Sequence, residues 1–230
     1  AERDHSADRD LLIDLIDRYG GAHPAPGVQH HAAEMGRGSL KWESHTEFVT
    51  YTLFVPGVSE APFSADSLAM FPDEWLAGVN GQIVSAAMVR VEMADTPEAA
   101  EADFVDRMGA HFAPESLSTG FVVDREALVA TDFRIHEDGL ARILVYAVKG
   151  IGPRRLGRIV QRVLEIESYK SFALLTLPVA RRIAGRVTEL DKKLGDITNR
   201  ADDPRVMLDA LTDLAAEVES LSTQSAFRFG

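Results

Sequence analysis

With 230 residues, 46% of them hydrophobic, the chain has apolar side chains enough for a real core and suits one large domain or a domain with a helical extension. A net charge of −12 excludes a general nucleic-acid binder, whose phosphate contacts need basic surface. The absence of cysteine excludes disulfides, thiolate metal sites and cysteine nucleophiles.

In chain order, residues 8–19 are predicted as a helix, with Leu11, Leu12, Leu15 and Ile16 at helical spacing and Gly20-Gly21 as its stop. Residues 22–38, with Pro24, Pro26, Gly27 and the pair His30-His31, are expected as a surface loop. Residues 38–55 alternate and are rich in β-branched and aromatic side chains. They make a hairpin or one long bent strand, ended by Pro56-Gly57. A short helix is expected at 73–79, a turn at Asn80-Gly81 and a strand over 82–93.

Thr96 can cap a helix that starts at Pro97, with Glu98, Glu101 and Asp103 near its N-terminal end, running to about Phe112. Strands follow at 116–123, 127–135 and 141–148, the last two joined by a Glu137-Asp138-Gly139 turn. Three in a row without intervening helices predict antiparallel pairing.

Pro153 then opens one very long helix, expected to reach Arg200 with a kink near Pro178. Its second half carries Val179, Ile183, Val187, Leu190, Leu194 and Ile197, spaced like a coiled-coil seam. After a break at 198–204, Leu211, Leu214, Val218 and Leu221 repeat the spacing, which predicts a helix folding back as an antiparallel hairpin. The expected fold class is therefore α+β: a mainly antiparallel sheet with flanking helices over residues 1–149, then a long helix and helical hairpin over 150–230. Such seams invite homo-oligomerisation. Between Lys149 and Lys193, 11 basic residues stand against 4 acidic ones, a basic spine in an acidic chain.

Two constellations could carry chemistry. On a regular strand Glu43, His45 and Glu47 would share one face, a row of oxygen and nitrogen donors suited to magnesium or another divalent cation, or simply the polar face of a half-buried sheet. Gly150 and Gly152, followed by Arg154, Arg155 and Arg158 at a helix start, could take an anion or phosphate, or serve only as a strand-to-helix turn. Glu165, Glu167, Tyr169 and Lys170 set polar groups into the long helix and read as a salt-bridge ladder on its surface or as a polar contact to the sheet domain. No nucleophile elbow, catalytic triad order or redox motif is present, so no catalytic residue is assigned and the balance lies against an enzyme.

The longest nearly apolar run, residues 172–180, is far short of the ~20 residues that span a bilayer, so the chain by itself is expected to be soluble. No signal peptide is visible, and Ala1 in place of a methionine points to a trimmed N-terminus.

The motif Leu40-Lys41-Trp42-Glu43-Ser44-His45-Thr46-Glu47-Phe48-Val49-Thr50-Tyr51-Thr52, and the run from Gly157-Arg158-Ile159-Val160-Gln161-Arg162 through Glu165-Ile166-Glu167-Ser168-Tyr169 to Leu177-Pro178-Val179-Ala180-Arg181, resemble a bacterial family of uncharacterised membrane-anchored proteins. The closing Phe227-Arg228-Phe229-Gly230 looks like that family's next block, cut off. The resemblance implies further helix and transmembrane segments beyond this chain, and with them an inner-membrane protein whose present portion is cytoplasmic. It implies no activity and no catalytic residues. A sheet domain followed by long helices is also the layout of CorA-type magnesium transporters, which makes a regulatory domain of such a transporter the alternative to an interaction or scaffold module.

Overall fold

The structure is a computed structural model that describes residues 5–58, 61–79, 81–200 and 204–229. Asn80 of the expected Asn80-Gly81 turn, residues 201–203 of the expected helix break and the terminal Gly230 lie outside the described residues. The fold is α+β, with two sheets and two long helices. It divides into two compact units, Ala1–Leu164 and Glu165–Gly230.

The first unit opens with helix α1 (His5–Asp17). Strands β1 (His30–Met35), β2 (Gly38–Ser44) and β3 (Val49–Phe54) follow as an antiparallel sheet in that order. Residues 38–55 therefore form a hairpin. Its register is continuous from Ser39 opposite Phe54 to Ser44 opposite Val49.

The expected surface loop is corrected in part, because its second half is β1. His30, Ala32 and Glu34 alternate with more buried His31, Ala33 and Met35, a period-two pattern that short, polar side chains conceal. The sheet packs on α1 through Leu12, Leu15, Ile16, Met35, Leu40 and Trp42. Phe71 and Trp75 join that core, the latter from the short helix α2 (Asp73–Gly78).

The second sheet has the order β4-β7-β6-β5, with β4 (Ala87–Ala94), β5 (Ser118–Val122), β6 (Ala127–Ile135) and β7 (Ala141–Val148). β5, β6 and β7 pair antiparallel, as three successive strands should. β4 lies parallel to β7, so the sheet is mixed.

Between β4 and β5 runs α3 (Pro97–Asp103), whose Thr96 cap accepts the Ala99 N–H at 3.1 Å. It continues as a π-helical turn, Phe104–Met108, and a 3-10 turn, Gly109–His111. This segment covers one face of the sheet with Ala100, Phe104, Met108 and Phe112 set against Leu128, Ala130, Leu144 and Tyr146. The other face is covered by the first turns of α4 (Pro153–Arg200), where Leu156, Ile159 and Val163 meet Ala127, Ile143 and Val145.

In the second unit α4 runs on through Pro178 to Arg200, and α5 (Pro204–Phe229) follows. Leu190 and Leu214 are the most buried residues of their two seams, and Lys193 Nζ meets Glu217 Oε1 at 2.6 Å.

Candidate functional site

The residues singled out by sequence are dispersed. Glu43 sits on β2, paired with Lys41 Nζ at 2.9 Å. The strand ends at Ser44, so His45 and Glu47 belong to the tight β2–β3 turn. There the His45 N–H donates to the Phe48 carbonyl at 2.8 Å, and its ring stacks on Phe48 at 4.4 Å. Among the described residues no three histidine, aspartate or glutamate side chains are gathered in a metal-binding geometry.

At the start of α4, Gly150 has φ +104° and turns the chain out of β7, a conformation that favours glycine. The Gly152 carbonyl accepts the N–H groups of Arg155 and Leu156, both at 3.0 Å. Arg155 is held by Glu126 at 2.5 Å, while Arg154 and Arg158 are exposed. Further along, Lys170 meets Glu167 at 2.7 Å one turn apart, but Glu167 is buried, so the pair is not part of a ladder on the helix surface.

The most elaborate polar arrangement was not anticipated. In β6 the register shifts between Thr131, opposite Ile143, and Ile135, opposite Ala141, so residues 132–134 bulge out of the ladder. Phe133 takes φ +56° within the bulge. Side chains hold it in place. Thr131 Oγ1 accepts the Phe133 N–H at 3.2 Å, and Asp132 Oδ1 accepts the Arg134 N–H at 3.2 Å.

Asp132 is wholly buried. Its other oxygen accepts the Ala113 N–H at 2.8 Å and lies 2.9 Å from His136 Nε2. Burial works to raise the Asp132 pKa, but the two backbone donors and His136 outweigh it and hold the carboxyl below its usual range.

The neighbouring turn continues the network. Asp138 caps the Leu140 N–H at 3.0 Å and accepts from Arg142 at 3.3 Å. Arg142 also donates to the His111 carbonyl at 3.0 Å and lies over the Phe63 ring at 5.7 Å. Burial first, then Arg142 and Arg90, lowers the His111 pKa.

An aspartate–histidine pair of this kind can orient an imidazole and hold a proton. Here it locks a bulge against the segment after α3. The sequence signals for the cluster are an aspartate at an inward position of β6 and the Glu137-Asp138-Gly139 turn. Open clefts lie elsewhere among the described residues. One, of about 300 Å³, is lined by His30, Ser39, Lys41 and Phe54 among others. Another, of about 280 Å³, lies at Met93, Asp95 and Lys149.

The second unit presents a different surface. Residues 171–180 of α4 contain no charged side chain between Lys170 and Arg181, and Leu174 and Leu175 are 58% and 57% exposed there. Val187, Leu194 and Val218 of the two seams are also exposed. Among the described residues no helix is long and apolar enough to cross a membrane.

No curated protein and no solved structure matches the chain. A family model described as a protein of unknown function, DUF3422, matches residues 1–230 from end to end, and the chain belongs to that family.

Proposed function

We propose that this chain is an interaction module that self-associates through α4 and α5. The charge-free stretch at residues 171–180 carries this reading, because Leu174 and Leu175 stand more than half exposed on the body of a helix. A helix apolar on several sides is normally buried. Two helices in a hairpin have no further layer to cover such side chains, whereas two hairpins together make a four-helix bundle with a closed core.

Charge supports a second copy as the cover. α5 bears Asp209, Asp213, Glu217 and Glu219, and the facing half of α4 bears Arg181, Arg182, Arg186 and Lys192. Within this reading the module is part of a membrane-anchored bacterial protein, its anchor supplied by segments outside this chain. The resemblance of the two long sequence motifs supports that part.

The test is light scattering on the chain and on the double variant Leu174→Glu/Leu175→Glu. The chain is expected to have a dimer or larger mass at micromolar concentration, and the variant a monomer mass with unchanged helical circular dichroism. A monomer mass for the unaltered chain at every concentration sinks the proposal.

A further inference from the structure

β4 is an edge strand with an open side. Among the described residues it pairs only with β7, in a register unbroken from Ala87 opposite Ala141 to Ala94 opposite Val148. Ala86 O accepts the Ala141 N–H and Ala94 O accepts the Lys149 N–H, both at 2.8 Å, so the even-numbered residues direct their main-chain groups at β7. In a parallel strand successive residues alternate sides, so Ala87, Val89, Val91 and Met93 direct theirs outward. Among the described residues none of these four takes part in a backbone hydrogen bond beyond the sheet.

Of the usual protections of an edge, β4 has charge alone, in Arg90 and Glu92. Over its eight residues β4 has no proline, glycine or bulge. On the α4 face Ala87 and Val89 pack into the core, while Val91 and Met93 continue the same apolar row at 43% and 65% exposure. On the opposite face Arg90 and Glu92 form a half-buried ion pair at 2.6 Å.

We propose that this edge pairs with β4 of a second copy, antiparallel, about a two-fold axis through Val91. The charges select both the occupant and the register. With Val91 opposite its own counterpart, Arg90 faces Glu92 of the second copy and Glu92 faces its Arg90, while Val89 meets Met93 on the apolar face. One step in either direction sets Arg90 against Arg90 or Glu92 against Glu92, and like charges directly opposite are destabilising.

The same register brings outward main-chain groups against outward ones. Both sheets then join into one of eight strands. The contact is isologous, as a closed dimer requires. It lies wholly within the first unit and is independent of the association proposed for α4 and α5.

The absence of cysteine makes the test clean, since each variant carries a single thiol. A hydrogen-bonded antiparallel pair sets its Cα atoms about 5.5 Å apart, within disulfide reach, whereas Val89 is several residues from its own counterpart. Under mild oxidation V91C is expected to form a covalent dimer at least about tenfold faster than V89C, and a mixture of V89C and M93C to cross-link to each other. In the V91C background R90E is expected to slow the reaction by a similar factor, and R90E/E92R, which swaps the charges, to restore it. Equal rates for V91C and V89C, or a charge swap that fails to restore cross-linking in a folded protein, would overturn the proposal.

Discussion

Tyr146, in the middle of β7, donates its hydroxyl to the Asp103 carboxylate at the end of α3. The same carboxylate takes Arg107 with both oxygens, at 2.7 and 2.8 Å. The π-helical turn between them is thus pinned from inside by a phenol and from outside by a guanidinium. Burial, followed by Asp103 itself, raises the pKa of the Tyr146 hydroxyl, so it remains a donor throughout the physiological range.

Tyr146→Phe keeps the packing of a residue only 1% exposed and removes that donor. The expected loss is about 1 kcal/mol, because Asp103 keeps Arg107 and reaches solvent. Urea unfolding of the two proteins side by side measures it. No change in midpoint would show that the contact contributes nothing.

Asp132 makes stability depend on pH. Its carboxyl is held below its usual pKa, so its contribution is complete above the unfolded-state value of about 3.9 and disappears as pH falls through the lower folded value. Asp132→Asn should therefore cost about 2 kcal/mol near neutrality, when one buried backbone donor loses its partner. The gap between variant and parent should narrow below pH ~4. Unfolding curves from neutral pH down to 3 check the sign, and a gap that widens toward acid would contradict the assignment.

Pro178 leaves the Leu174 carbonyl without the N–H that a helix would bring to it. Pro178→Ala supplies that donor and removes the ring. The gain should be about 2 kcal/mol after allowing for the freer unfolded chain. Helical circular dichroism followed against temperature reports it as a later transition.

Gly38 has the closest backbone approach in the first sheet, since a Cβ there would stand 2.5 Å from the Phe54 carbonyl oxygen. Gly38→Ala must push β2 away from β3, and about 2 kcal/mol is the expected cost. Gly139→Ala meets nothing within 4 Å but sits at φ +80°, so its loss would come from backbone strain alone. Denaturant midpoints for the pair separate crowding from strain.

Much of the fold was legible where one signal dominated. α4 was readable from Pro153 to Arg200 because Gly152-Pro153 marks its start and apolar side chains recur without a breaker other than Pro178. β5 to β7 stood out through their branched residues and the turns between them. β1 did not, because His30-His31-Ala32-Ala33-Glu34 has little strand propensity and owes its conformation to pairing with β2. The parallel pairing of β4 with β7 brings together segments 54 residues apart, which local periodicity does not encode.

The candidate sites fared according to how local their premises were. The row of Glu43, His45 and Glu47 assumed a strand that in fact ends at Ser44. Asp132, His136, Asp138 and Arg142 come together through a bulge, which has no sequence signature, and through the Glu137-Asp138-Gly139 turn, which has one. The apolar seams of α4 and α5, by contrast, follow from spacing alone, although spacing does not tell that Leu190 and Leu214 are buried while Val187, Leu194 and Val218 are exposed.

The bulge in β6 also limits how this chain can change in length. Residues 132–134 stand opposite a single residue of β7, which puts two extra residues into the strand. Removing two would leave Thr131 and Ile135 facing as they do now, at the cost of the Asp132 brace. Removing one would turn every later side chain of β6 to the opposite face of the sheet. Insertions and deletions at this place should therefore be tolerated in pairs and rejected singly.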